Sequence, residues 1–127
     1  MEHQDDDAAV RALDDLHSQL ERTIAELRAA GERIEQLAGL RAAGHSWFDI
    51  VSNEERPLVV ETITRALDDL GAVGGRFRRE EALALQQEDI SINRISQLFG
   101  VSRQRISALV RHRNTAAPRQ ERSTAAG

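Results

Sequence analysis

The 127-residue chain has no cysteine, no lysine and no tyrosine. Without cysteine there is no disulfide framework, no thiolate metal site and no cysteine nucleophile. Aromatics are scarce, only Trp47, Phe48, Phe77 and Phe99. A core must therefore come from Leu, Ile, Val and Ala, which suits packed helices better than sheets. Prolines are limited to Pro57 and Pro118, so long stretches stay open to helix. No apolar run approaches the roughly 18 residues of a membrane span. The start, MEHQDDDAAV, is acidic rather than basic, unlike a signal peptide. The chain is expected to be cytoplasmic, with no membrane partner.

Catalytic chemistry is as thin. His3, His17, His45 and His112 do not stand at zinc-ligand spacings. The glycine cluster GAVGG lacks the following lysine and the preceding strand of a phosphate-binding loop. Asp14/Asp15 and Asp68/Asp69 are ordinary helix-surface acids. No enzyme and no cofactor is expected.

Charge is present but unevenly spread. The net charge of -4 conceals ten acids against four arginines in residues 1–40 and five acids against ten arginines in 76–127. Residues 91–113 hold five arginines and no acid. Such polarity points to an acidic partner-facing module joined to a basic binding surface. All seventeen basic residues are arginine. Arginine suits phosphate and guanine contacts, although a coding bias produces the same count.

From Val10 the sequence falls into heptads. Val10, His17, Ile24, Gly31 and Ala38 take one seam position, and Leu13, Leu20, Leu27, Ile34 and Arg41 the other. Alternating spacings of 3 and 4 keep one apolar stripe on a helix. The pattern predicts a helix over 10–43 that either packs on its own domain or forms a dimeric coiled coil. Leu13, Leu20, Ile24, Leu27 and Ile34 are the candidate dimerisation residues, and a length of about 48 Å favours a partner.

Gly44 ends this helix, and Ser46 can cap a short one beginning at Trp47. Trp47 and Phe48 read as core anchors joining the long helix to the body, with a partner-binding role as the alternative. A third helix with Leu58, Val59, Ile63, Ala66, Leu67 and Leu70 on one face is expected to close at Gly71. GAVGG reads as a turn, and 76–89 as a further helix. Leu40, Ser46 and Ile50 recur as Leu85, Ser91 and Ile95, at an offset of 45. Read as a repeat, they make the middle segment a degenerate copy of the C-terminal one.

That C-terminal stretch, RISQLFGVSRQRISALVR, carries the most information. Ser91 can cap a helix over 92–99 with Ile92, Ile95, Leu98 and Phe99 apolar. Gly100 offers the positive φ that a chain leaving a helix often needs. Ser102 can cap a second helix in which Ile106, Leu109 and Val110 form the apolar face. A tight turn makes the two helices cross steeply at the small Ser96. The order resembles the helix-turn-helix of bacterial transcription regulators and the DNA-reading end of sigma factors. The resemblance covers residues 92–111 and rests on Ser96, Gly100 and Ile106, with apolar Ile95, Val101 and Leu109. Serine in place of the more usual alanine at 96 is a mild departure.

The resemblance implies that the second helix enters the major groove of double-stranded DNA. Ser102, Arg103, Gln104 and Ser107 would then face the bases, with Arg94, Arg105, Arg111 and Arg113 on phosphates. Arg76, Arg78 and Arg79 could add to the phosphate-contacting edge. The expected fold is all-α: a long N-terminal coiled-coil helix, then a small helical bundle ending in the helix-turn-helix. Residues 1–9 and 114–127 are expected to be disordered, and 44–113 to form the DNA-binding domain. The implied function is a homodimeric, sequence-specific transcription regulator in the nucleoid, with a possible protein partner on the acidic helix. The rivals are a coiled-coil adaptor engaging RNA polymerase or a sigma factor, and a nucleoid-associated architectural protein.

Overall fold

The computed structural model describes residues 7–111, and every regular element in them is helical. The helices are α1 (Ala8–Ala42), α2 (Trp47–Asn53), α3 (Val59–Gln87), α4 (Ile92–Phe99) and α5 (103–111). The all-α architecture read from composition is thus the observed one. Among the described residues no helix is long and apolar enough to cross a membrane. The chain divides into two compact units, Leu13–Gly74 on one side and Met1–Ala12 with Gly75–Gly127 on the other. Sequence segmentation at residue 44 does not match this division, because α1 and α3 each contribute to both units.

Within Leu13–Gly74, α1 and α3 form an antiparallel hairpin. Leu16 lies beside Gly74, where an added Cβ would meet its Cδ1 at 3.9 Å. At the other end Arg33 Nη1 donates to the Pro57 carbonyl at 3.1 Å. The long helix therefore finds its partner in its own chain. The covered row of α1 runs through Leu16, Gln19, Thr23 and Ala30, and Thr23 and Ala30 are only 1% and 2% exposed. On α3 the corresponding row, Val59, Ala66 and Val73, is buried as well. Gln19 is accommodated because its Nε2 donates to Thr23 Oγ1 at 3.1 Å and its Oε1 accepts from Arg22 Nη2 at 2.9 Å.

This row lies one position away from the heptad seam. Leu13, Leu20, Ile24 and Ile34 remain 41–49% exposed, and only Leu27 of the predicted set is half-buried. Two adjacent rows at heptad spacing coexist on α1, and α3 covers the one with small residues.

GAVGG is not a turn. α3 runs through it as helix for 29 residues. Three helix-interior glycines each cost about 1 kcal/mol relative to alanine. The apolar row compensates, because it continues at spacings of 3 and 4 through Val59, Ile63, Ala66, Leu70, Val73 and Phe77. Val73, inside the glycine cluster, is itself buried.

The connection at 54–57 is clamped by Arg33. Its Nη2 donates to Glu54 Oε2 at 3.1 Å and to the Glu55 carbonyl at 3.0 Å, besides the bond from Nη1 to Pro57. Glu54 Oε2 also accepts from the Val59 N–H at 2.8 Å, so one carboxylate joins the clamp to the start of α3.

Trp47 and Phe48 are not core anchors. They are 57% and 79% exposed. Ser46 Oγ accepts from the Asp49 N–H, and this cap sets the rotation of the seven-residue α2. With that rotation Ile50 turns inward and the aromatics turn out. The Arg41 guanidinium lies 5.5 Å from the Trp47 ring centroid and covers part of it.

The offset of 45 has a structural counterpart. α1 ends with His45 N–H donating to the Leu40 carbonyl and Gly44 at φ 102°. α3 ends with Ile90 N–H donating to the Leu85 carbonyl and Asp89 at φ 66°. Each stop leads into a serine-capped helix whose fourth residue, Ile50 or Ile95, is buried. After that the two halves diverge, since α2 ends in an extended residue, Glu54, and α4 in left-handed Gly100.

Candidate nucleic-acid interface

The second unit is organised around Ala82, Ile95 and Ile106, none of which has measurable exposure. These three come from α3, α4 and α5, so one small core joins all three helices. Leu85, Ile90, Phe99, Val101, Leu109 and Val110 close around it. Ala82 is the small member of this core, so the two isoleucines supply most of its buried side-chain volume.

Between α4 and α5 the chain turns in three residues. Gly100 has φ 71° and ψ 28°, and its N–H donates to the Ser96 carbonyl. The Val101 N–H reaches the same carbonyl at 3.1 Å. Ser102 then caps α5, its Oγ accepting from the Arg105 N–H at 3.0 Å. Ser96 is buried at the crossing, and its hydroxyl donates back to the Asn93 carbonyl at 2.9 Å. That bond satisfies the polar group which distinguishes serine from alanine at this position. A Cβ on Gly100 would meet nothing within 4 Å, so the cost of Gly100→Ala is that of left-handed backbone alone. The variant is expected to lose about 1–2 kcal/mol, read as a shift in the urea midpoint.

α5 buries Ile106 and packs Leu109 and Val110 inward. Its helical period brings Gln104, Ala108 and Arg111 to the opposite side, with Arg103 and Ser107 on one flank and Arg105 on the other. Arg103, Gln104, Arg105, Ala108 and Arg111 are exposed, and Ser107 is half-buried. Ala108 joins this side without belonging to the helix-turn-helix resemblance. Its spacing of four from Gln104 was the available signal, and a small residue there leaves α5 open to close approach. Ser102 is exposed, but its oxygen is engaged as the helix cap.

The cations expected on phosphates are less uniform. Arg94 is exposed on the first turn of α4, with Nη1 donating to Gln97 Oε1 at 3.1 Å. Arg78 is taken up by packing, its guanidinium carbon 4.3 Å from the Phe99 ring centroid and Nη1 3.8 Å from Glu81 Oε1. Arg76 is exposed and Arg79 half-buried. Arg113 lies outside the described residues, as do 114–127 and residues 1–6 of the 1–9 stretch expected to be disordered; Ala8 and Ala9 already belong to α1. From 91 to 111 the surface carries four arginines and no acid. The helix-turn-helix segment itself thus supplies basic and no acidic side chains. Compared with known proteins, the chain matches no family model, no curated protein and no solved structure.

Proposed function

We propose that the protein binds double-stranded DNA through α4 and α5 and acts as a homodimeric transcription regulator in the nucleoid. The observation that carries this reading is the left-handed Gly100 between two serine-capped helices, with α5 outward on an acid-free, arginine-bearing segment. α5 supplies the base contacts: Arg103 has the fork that pairs with guanine O6 and N7, and Gln104 the amide that pairs with adenine N6 and N7. Ser102 and Ser107 complete the base-facing set, and Ala108 fits a thymine methyl. Arg94, Arg105, Arg111 and Arg113 hold phosphates and fix the register. A homodimer presents two such helices to half-sites one helical turn apart, or a multiple of it.

Selection from random duplexes, followed by fluorescence anisotropy on the enriched sequence, tests this. Arg103→Ala is expected to weaken binding roughly 10- to 100-fold and to relax preference at one base pair. Arg105→Ala is expected to weaken all sequences alike and to lower the slope of log K against log salt by about 1. Binding without an enriched motif would indicate an architectural protein. A salt slope near zero would indicate an adaptor that meets DNA through RNA polymerase or a sigma factor.

A further inference from the structure

The hairpin of Leu13–Gly74 has an apolar face that its own chain leaves uncovered. On α1, the positions one residue beyond the buried row include Leu13, Leu20 and Ile24. On α3, the corresponding positions include Val60 and Leu67, which are 69% and 52% exposed. In an antiparallel pair, chain direction and partner position reverse together, so these two flanks face the same side. Ile34 extends that side on α1. The face carries no acid or arginine at positions 13, 17, 20, 24, 27, 31 and 34, nor at 60, 64, 67, 71 and 74.

Glycines supply the second observation. Gly31 and Gly71 lie in helix interiors on this face, where glycine weakens a helix. A Cβ at either would meet nothing within 4 Å, so packing within the chain does not call for them. Their heights on the hairpin follow from its register. Leu16 beside Gly74, and Arg33 beside Pro57, show that residues whose numbers sum to about 90 are level. Gly71 is therefore level with Leu20, and Gly31 with Val60. A bulky residue on one helix stands next to a glycine on the other, in opposite order at the two heights.

We infer that this face is covered by a second copy of the chain, forming a four-helix bundle. A half-turn about an axis parallel to the hairpin lays each α1 over the α3 of the second copy. Leu20 then enters the space over the second copy's Gly71, and Val60 that over its Gly31. Large meets small at both heights, and the relation is reciprocal, as a twofold interface requires. The extent suits a dimer as well. About 22 residues of helix and two helix widths make a face of roughly 30 by 20 Å, about 600 Å², at the lower end of the roughly 600–1,000 Å² per partner of standard interfaces. This names the surface of the homodimer in the proposed function and needs nothing from its DNA-binding half.

The experiment is sedimentation equilibrium of the full chain at micromolar concentration without DNA. The parent is expected at twice the 14.1 kDa chain mass. Leu20→Glu, Leu67→Glu and Gly71→Leu are each expected at chain mass with parental helix content by circular dichroism. Gly71→Leu is the sharper variant, because it adds apolar surface and still removes the dimer by filling the space for Leu20. Val51→Glu, at an exposed apolar site on α2, is expected to leave the dimer intact. Since the chain has no cysteine, mixing Leu20→Cys with Gly71→Cys protein should yield a mixed disulfide dimer faster than either variant does alone. A monomeric parent, or a Gly71→Leu protein that dimerises as the parent does, would overturn the inference. Neither outcome depends on DNA, so anisotropy on the parent reports the DNA-binding reading separately.

Discussion

Ile106→Ala is expected to destabilise the second unit by about 2–5 kcal/mol and to abolish DNA binding. Ile106 is fully buried against Ala82 and Ile95, and its removal leaves a cavity where three helices meet. α5 has no other seat of that depth, since Leu109 and Val110 are only half-buried. The loss is a large share of a typical domain's 5–15 kcal/mol. Urea denaturation followed by circular dichroism gives the stability, and anisotropy the binding. Ile106→Val, which keeps the branch at Cβ, is expected to cost only about 0.5–1.5 kcal/mol and to retain binding. A fully stable Ile106→Ala protein would mean that α5 is not seated by this core.

Arg33→Ala is the second large effect, expected to cost about 2–3 kcal/mol. The guanidinium serves three acceptors on the 54–57 connection, and two of them are backbone carbonyls. Its side chain is 28% exposed and that of Glu54 10%, so the carboxylate left behind is largely withdrawn from water. Glu54 would keep its bond from the Val59 N–H and lose its cation. Arg33→Lys is expected to restore less than half of the loss, because an ammonium lacks the planar fork that reaches all three acceptors. The denaturant midpoint checks both variants. DNA affinity at saturating folding conditions should not change, since Arg33 belongs to the hairpin unit.

Much of the local structure was legible because it is set by neighbours in sequence. Ser46, Ser91 and Ser102 each cap the helix expected of them, since a side-chain oxygen reaches an N–H three residues on whatever surrounds it. Gly100 takes the left-handed conformation for an equally local reason. The offset of 45, three identities in eleven positions, returns as matching helix stops and caps. Asp89 was the concealed part, because it fills the left-handed place that Gly44 fills in the first half.

Where neighbours in sequence disagreed with distant ones, the sequence misled. GAVGG contains three strong helix weakeners, and local preference alone makes it a turn. Val73 keeps the buried row in step, and packing of that row outweighs about 1 kcal/mol per glycine. Trp47 and Phe48 are the largest side chains of the middle segment, yet the Ser46 cap turns Ile50 inward in their place.

By itself the sequence determined that this protein is helical, where most helices stop, and which face of 103–111 is polar. Periodicity and capping act over three or four residues, so they can be read along the chain. It also determined that α1 carries an apolar heptad row. Only the tertiary structure decided that α3 covers the neighbouring row of Ala30 and Thr23, leaving Leu13, Leu20, Ile24 and Ile34 open. The choice between two adjacent rows depends on a helix some forty residues away, whose own buried row is Val59, Ala66 and Val73. A pattern within one helix specifies what it can bury; the partner selects what it does bury.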